Sequence, residues 1–178
     1  MQTLHTQRLC LRPLDTSDEN FYCGLYVDPF LMQHIAAPLD LDTARHRFGI
    51  AIRQQSARRQ HRLIIEMEST TAIGLVALFV DGSSAEMGVM LVATAHGRGY
   101  ATEAMAAVRD HAFAGEGLDL LWIRQQPANH AVTPMMRKLG FEPLPMVDEG
   151  TGFRRWELDR QRWLSLHAGA VAADQPNR

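Results

Sequence analysis

Apolar and polar residues alternate along Arg8-Leu9-Cys10-Leu11-Arg12-Pro13-Leu14, the period-two pattern of a half-buried strand. Asp15 to Glu19 then supply the side chains that cap a helix start, so a strand is predicted to hand over to a helix. A second helix is predicted from about Asp40 to Thr43 as far as Ser56. His61–Met67, Thr71–Val80 and Ala85–Val92 are rich in Ile, Leu and Val. The polar turns Glu68-Ser69-Thr70 and Asp81-Gly82-Ser83-Ser84 separate these runs and make them antiparallel neighbours. From Arg98 to about Ala114 the period changes: Ala101, Ala104, Met105, Val108 and Ala112 recur at helical spacing, and Gly115 and Gly117 end the run. Leu118–Gln125 reads as a buried strand and Thr133–Leu139 as a short helix with Pro134 in its first turn. Phe141–Val147 and Phe153–Leu158 read as closing strands. The residues after Leu166 are small and polar, which predicts one domain over 1–166 and a disordered tail over 167–178.

Charge narrows the partners. The 178 residues carry 18 Lys and Arg against 20 Asp and Glu, a formal net charge of -2, so there is no basic excess for nucleic acid. One local basic stretch gathers Arg45, Arg47, Arg53, Arg58, Arg59 and Arg62 on the second helix and the turn after it. Cys10 and Cys23 have no spaced partners for zinc or a disulfide framework, which suits a reducing cytoplasm. No run approaches the roughly 18 apolar residues of a membrane span, and no leader pattern opens the chain.

Candidate chemistry centres on His96-Gly97-Arg98-Gly99-Tyr100-Ala101, between a strand and a helix. Glycines let backbone approach an anion closely, and the first N–H groups of a helix have no intrahelical acceptor. Arg98 adds positive charge, and Tyr100, Ala101 and Thr102 place further amides at the helix start, so the loop suits a pyrophosphate. Taken alone, the same Gly-x-Gly step also serves as a plain tight turn.

The surrounding residues extend the pattern. Ala85-Glu86-Met87-Gly88-Val89-Met90-Leu91 followed by Gly97-Arg98-Gly99-Tyr100-Ala101-Thr102-Glu103-Ala104 resembles the main cofactor motif of GNAT acetyltransferases, Gln/Arg-x-x-Gly-x-Gly/Ala. His96, Gly99 and Ala101 fill those places, and only His96 departs. Thr6 to Leu14 resembles the opening strand of the branch that acetylates ribosomal-protein N-termini, and Asn129 through Lys138-Leu139-Gly140-Phe141 resembles its closing motif. The resemblance implies an α/β (α+β) fold. Its mixed, twisted sheet has six or seven strands, splayed between the fourth and fifth, with helices on both faces. It also implies acetyl-CoA as cosubstrate. The pantetheine arm would pair with Met90, Leu91 and Val92, the pyrophosphate would meet Gly97, Arg98, Gly99, Tyr100, Ala101 and Thr102, and Asn129 and Met136 would add contacts.

Acetyl transfer to an amine needs a polarised thioester carbonyl and a route for the released proton. By resemblance, the Val92 backbone N–H is the oxyanion donor and Glu86 draws the proton off through water. Paired with an arginine, Glu86 would instead be an ordinary strand carboxylate. Many family members carry a tyrosine acid where this chain has Met136, and the N-terminal-acetylating branch a serine where it has Val132. Thr133 is adjacent, but Thr before Pro134 is more often a helix cap. His34 falls where the family builds its acceptor pocket, His111 reads as a packed or surface residue, and the histidines form no metal-ligating pair. The expectation is an N-acetyltransferase, monomer or homodimer, acting on a peptide N-terminus or small-molecule amine. The alternative, motivated by the missing acids, is an acetyl-CoA-binding sensor without turnover.

Overall fold

The period-two segments become strands and the capped segments helices. The computed structural model describes all residues except 57–59, 68–70, 148–151 and 174–178. The strands are β1 (Leu4–His5), β2 (Leu9–Pro13), β3 (Gln60–Met67), β4 (Ala72–Asp81), β5 (Ser84–Leu91), β6 (Leu120–Gln125), β7 (Glu142–Val147) and β8 (Arg154–Asp159). The helices are α1 (Glu19–Val27), α2 (Pro29–Met32), α3 (Leu41–Ser56), α4 (Tyr100–Ala114), α5 (Thr133–Lys138) and α6 (Arg160–Ala173). The strands form one sheet in the order β1-β2-β3-β4-β5-β6-β8-β7. The two-residue β1 takes the described strands beyond the six or seven expected. The predicted turn Glu68-Ser69-Thr70 lies outside the described residues, as do Arg58 and Arg59.

Among the described residues every strand pairing is antiparallel except β5 with β6. A two-residue loop, Gly82-Ser83, closes the β4–β5 hairpin, with Gly82 at φ 59°, where a residue without Cβ avoids strain. The parallel contact runs only from Ser84–Glu86 to Leu120–Trp122. Beyond it β5 stays paired with β4 as far as Leu91, and β6 stays paired with β8 as far as Gln125, so the sheet opens between β5 and β6. Counted without β1, these are the fourth and fifth strands.

Each face carries a core. Leu11, Val76, Met87 and Leu121 pack with Met105, Val108 and Phe113 of α4 on one side, joined by Trp156 and by Trp163 of α6. Ile64 and Leu75 pack with Tyr22 and Leu25 of α1 and Phe48 of α3 on the other. Burying side chains of this size contributes about 1.5–3 kcal/mol each before entropy is counted. At Gly74 a Cβ would run into the Met90 carbonyl and the Leu91 side chain, so only glycine lets β4 sit this close to the end of β5.

The reading of 167–178 as a tail is corrected over its first half: α6 continues to Ala173, and 174–178 lie outside the described residues. The Arg162 N–H donates to Asp159 Oδ1 at 2.7 Å, a capping bond that starts this helix directly after β8. No helix among the described residues is long and apolar enough to cross a membrane.

Candidate active site

The glycine loop is built to leave amides open. Gly97 and Gly99 have φ of 71° and 80°, the left-handed region, and Gly99 is the N-cap of α4 without any side-chain cap. The first bond into the helix runs from the Glu103 N–H to the Gly99 carbonyl at 3.1 Å, so the amides of Tyr100, Ala101 and Thr102 precede any intrahelical donor. The loop is held from beneath by β2 and the segment before it. Arg8 donates through Nε to Glu103 Oε2 at 2.7 Å, through Nη1 to the Arg98 carbonyl at 3.0 Å, and lies 4.6 Å from the Tyr100 ring centroid. Thr6 Oγ1 donates to Glu103 Oε1 at 2.6 Å. Burial pushes the Glu103 carboxyl up, but the hydrogen bonds from Thr6 and Arg8 and the Arg8 charge outweigh it, and the net shift is downward.

Backbone direction along β5 determines which groups face the opening. The Val92 N–H donates to the Ile73 carbonyl at 2.9 Å, toward β4. In an antiparallel ladder successive residues alternate sides, which turns the peptide groups of Leu91 and Val89 toward the opening. The Ser83 carbonyl, of the same parity, accepts from Asp119 and Leu120 at the foot of β6. The Val92 amide is therefore already used, which corrects its assignment as oxyanion donor. Met90 faces β4 in the same way, so of Met90, Leu91 and Val92 only Leu91 presents its peptide groups to an extended arm. His96 Nε2 lies 2.9 Å from the Leu91 carbonyl and ties the loop to the strand end.

Two cavities meet at this opening. One, about 670 Å³, is lined by Met90, Leu91, Gly97, Gly99, Tyr100, Ala101 and Thr102, and by Asn129 across the gap. Arg98 is exposed and absent from this lining, as is Val92. The other, about 530 Å³, lies against α1, α3 and the floor of β3 to β5; Met136 lines this second cavity and not the first. His34, Val89, Met90, Asn129, Val132 and Met135 belong to both. Thr133 lines neither, and its Oγ1 accepts from Gln125 Nε2 at 3.0 Å. His111 lies 3.6 Å from Glu116, away from both cavities. No group of three His, Cys, Asp or Glu among the described residues is placed to hold a metal.

Glu86 lines the second cavity and is gripped from both oxygens by Arg124, Nε to Oε1 at 2.7 Å and Nη2 to Oε2 at 3.1 Å. The arginine partner considered from the sequence is thus present, and sequence reasoning had not located it. Nor had it found Tyr22, Tyr26 and Arg62 in the same lining. The Tyr22 hydroxyl is pushed far up by burial, with Tyr26 adding and Arg62 and Arg47 opposing, so it stays protonated.

Open helix-start amides beside a splayed strand would accept a phosphate-bearing, extended cofactor, and the comparisons agree. The acetyltransferase (GNAT) domain family matches residues 8–142. The chain belongs to the GNAT acetyltransferase family. An uncharacterized N-acetyltransferase, p20 of Bacillus licheniformis, is 24% identical over 148 residues, 80% of this chain and 83% of that protein. The fold is shared with an acetyltransferase from Agrobacterium tumefaciens str. C58, with a TM-score of 0.78 at 26% identity over 89% of this chain and 94% of that one. A spermidine N-acetyltransferase from Vibrio cholerae, in complex with CoA and spermine, aligns with a TM-score of 0.79 at 19% identity, over 89% and 99% of the two chains. RimL, a ribosomal L7/L12 acetyltransferase in complex with CoA, aligns with a TM-score of 0.78 at 16% identity, over 89% and 98%. As a GNAT acetyltransferase this chain is an acetyl-CoA-dependent acyltransferase.

Proposed function

We propose that this acetyltransferase moves the acetyl group to a primary amine by direct attack, with both substrates bound together. The observation that carries this is the meeting of the two cavities where β5 leaves β6. The helix-start amides of Tyr100, Ala101 and Thr102 hold the pyrophosphate, and the edge of β5 at Val89 and Leu91 receives the extended arm. Bound there, acetyl-CoA supplies the thioester carbonyl. The amine nitrogen forms the C–N bond, the C–S bond breaks, and the thiolate departs with CoA and takes up a proton. The gap-facing amides of Val89 and Leu91 stand about 7 Å apart, so the Val89 N–H donates to the carbonyl oxygen and the Leu91 N–H, nearer the phosphate loop, to the arm.

Glu86 accepts the amine's proton through water. Arg124 uses one lone pair on each of its oxygens, and a carboxylate has about four acceptor sites, so capacity remains. Val89 lies three residues along the strand, about 10 Å away, which requires the bridging water. The acceptor class, a peptide N-terminus or a small amine, spans what the relatives' names describe, and the free cysteines suit the cytoplasm. CoA release measured with Glu86→Gln and His34→Gln tests the assignment. A rate unchanged in the first and collapsed in the second would transfer the role to His34, which lines both cavities.

A further inference from the structure

We infer that the amine acceptor carries a carboxylate, and that Arg62 on β3 binds it. This deepens the proposed transfer to an amine and rests on the second cavity being the acceptor's. Arg62 is 8% exposed and lines that cavity, yet among the described residues its Nε and Nη1 have no hydrogen-bond partner. Its backbone is fully committed: the N–H donates to Gln55 Oε1 at 2.9 Å and the carbonyl accepts from Leu14 at 2.8 Å, which fixes the strand beneath the side chain. The Phe79 ring, 5.1 Å from the guanidinium carbon, offers only a partial counterweight to a buried charge. A buried guanidinium with unused donors is costly unless an anion completes it. Gln60 Oε1, in the same lining, is likewise buried with no donor among the described residues.

The register shows how a ligand reaches it. Arg62 stands opposite Ala77, and Ala77 opposite Gly88, so a row of small residues crosses the cavity floor from Arg62 to β5. A Cβ at Gly88 would meet nothing within 4 Å. Two inter-strand steps span about 10 Å, so amine and carboxylate are separated by no more than an amino acid or a short chain provides. Charge points the same way. Among the described residues the lining holds Arg47, Arg62 and Arg124 against one carboxylate, that of Glu86, which Arg124 already grips, an environment that repels a polycation. Tyr22, Tyr26 and Ile50 give it an apolar wall.

The test is CoA release from acetyl-CoA with matched acceptors: phenylalanine, phenethylamine (the same amine without the carboxylate), phenylalanine amide and spermidine. The expected kcat/KM for phenylalanine exceeds that for phenethylamine by about tenfold or more, the gain of one charge-assisted contact. Arg62→Met brings the ratio to about one by raising KM for phenylalanine, with acetyl-CoA still raising the melting temperature, and Arg62→Lys restores part of it. Equal rates for the pair, preference for spermidine or the amide, or a ratio unmoved by Arg62→Met would overturn the inference. Binding supplies a second arm independent of turnover. In CoA-saturated protein N-acetylphenylalanine should raise the melting temperature more than N-phenethylacetamide, and an equal or smaller rise also overturns it. Should Arg62→Met not fold, the wild-type ratios and Arg62→Lys carry the same decision. Absence of any acetyl-CoA-induced shift counts against the cofactor cavity itself, whereas a lost carboxylate preference with that shift intact counts against Arg62 alone.

Discussion

Replacing Gly99 by valine tests the phosphate cradle against a matched control. Gly99 sits at φ 80° at the N-cap of α4, and a Cβ there would lie 3.4 Å from Arg8 Nη2, the arginine that supports the loop. Gly82 has φ 59° in the β4–β5 hairpin and lines neither cavity, with nothing within 4 Å of an added Cβ. A side chain forced into the left-handed region costs about 1–2 kcal/mol or more at either position. For a chain of 178 residues that lowers the melting temperature by about 2–8 °C. Acetyl-CoA at about 100 times its Kd stabilises the wild type by about 2.7 kcal/mol, a rise of about 5–11 °C. The two variants should therefore melt similarly without ligand, and only Gly82→Val should keep the rise. Thermal melts with and without acetyl-CoA decide it. A full ligand-induced rise in Gly99→Val, or its loss in Gly82→Val, would refute the placement of the pyrophosphate on this loop.

Three further outcomes follow from named contacts. Glu86→Gln should lower turnover by about 10²- to 10⁴-fold while acetyl-CoA still shifts the melting temperature, and an unchanged rate removes Glu86 from the proton path. Gly74→Ala should cost about 1–3 kcal/mol, because its Cβ runs into the Met90 carbonyl and the Leu91 side chain; denaturant unfolding reads the loss. Glu103, whose carboxyl is held below its ordinary value, adds stability above the unfolded carboxylate pKa of about 4.3 that is lost as pH falls through the folded value. The melting-temperature gap between wild type and Glu103→Gln should therefore be level near neutrality and close in acid; a gap widening in acid contradicts the staple.

Much of the sheet was legible because its signals are local. The alternation in β2, the apolar runs of β3 to β5 and the period change at α4 each lie within a few residues of one another. The glycine loop was legible for the same reason, since positive φ and an uncapped helix start are properties of Gly97 to Thr102 themselves. Two helices were missed although their caps were present. Asp28, just before Pro29, accepts from the Phe30 and Leu31 N–H groups, and Asp159 accepts from the Arg162 N–H at the start of α6, but each helix follows its neighbouring element so closely that no loop composition marks the boundary. The site depends on what no local pattern encodes. The opening between β5 and β6 is long-range pairing that stops, and the direction of the Val92 amide follows from register with Ile73. Arg62 looked like one more member of a basic stretch. Its strand position, two steps from Gly88, turns it into a buried charge facing the acceptor cavity.

Acetyl transfer frees the thiol of CoA, and release of that thiol reads the reaction. Purified protein with acetyl-CoA and the amine panel above, extended by short peptides with free N-termini, should release CoA faster with at least one amine than without any. Mass spectrometry should then find that amine acetylated. Release at the amine-free rate across the whole panel, from protein that acetyl-CoA still stabilises, would rule out transfer to these amines and leave a binding module that senses acetyl-CoA without turning it over.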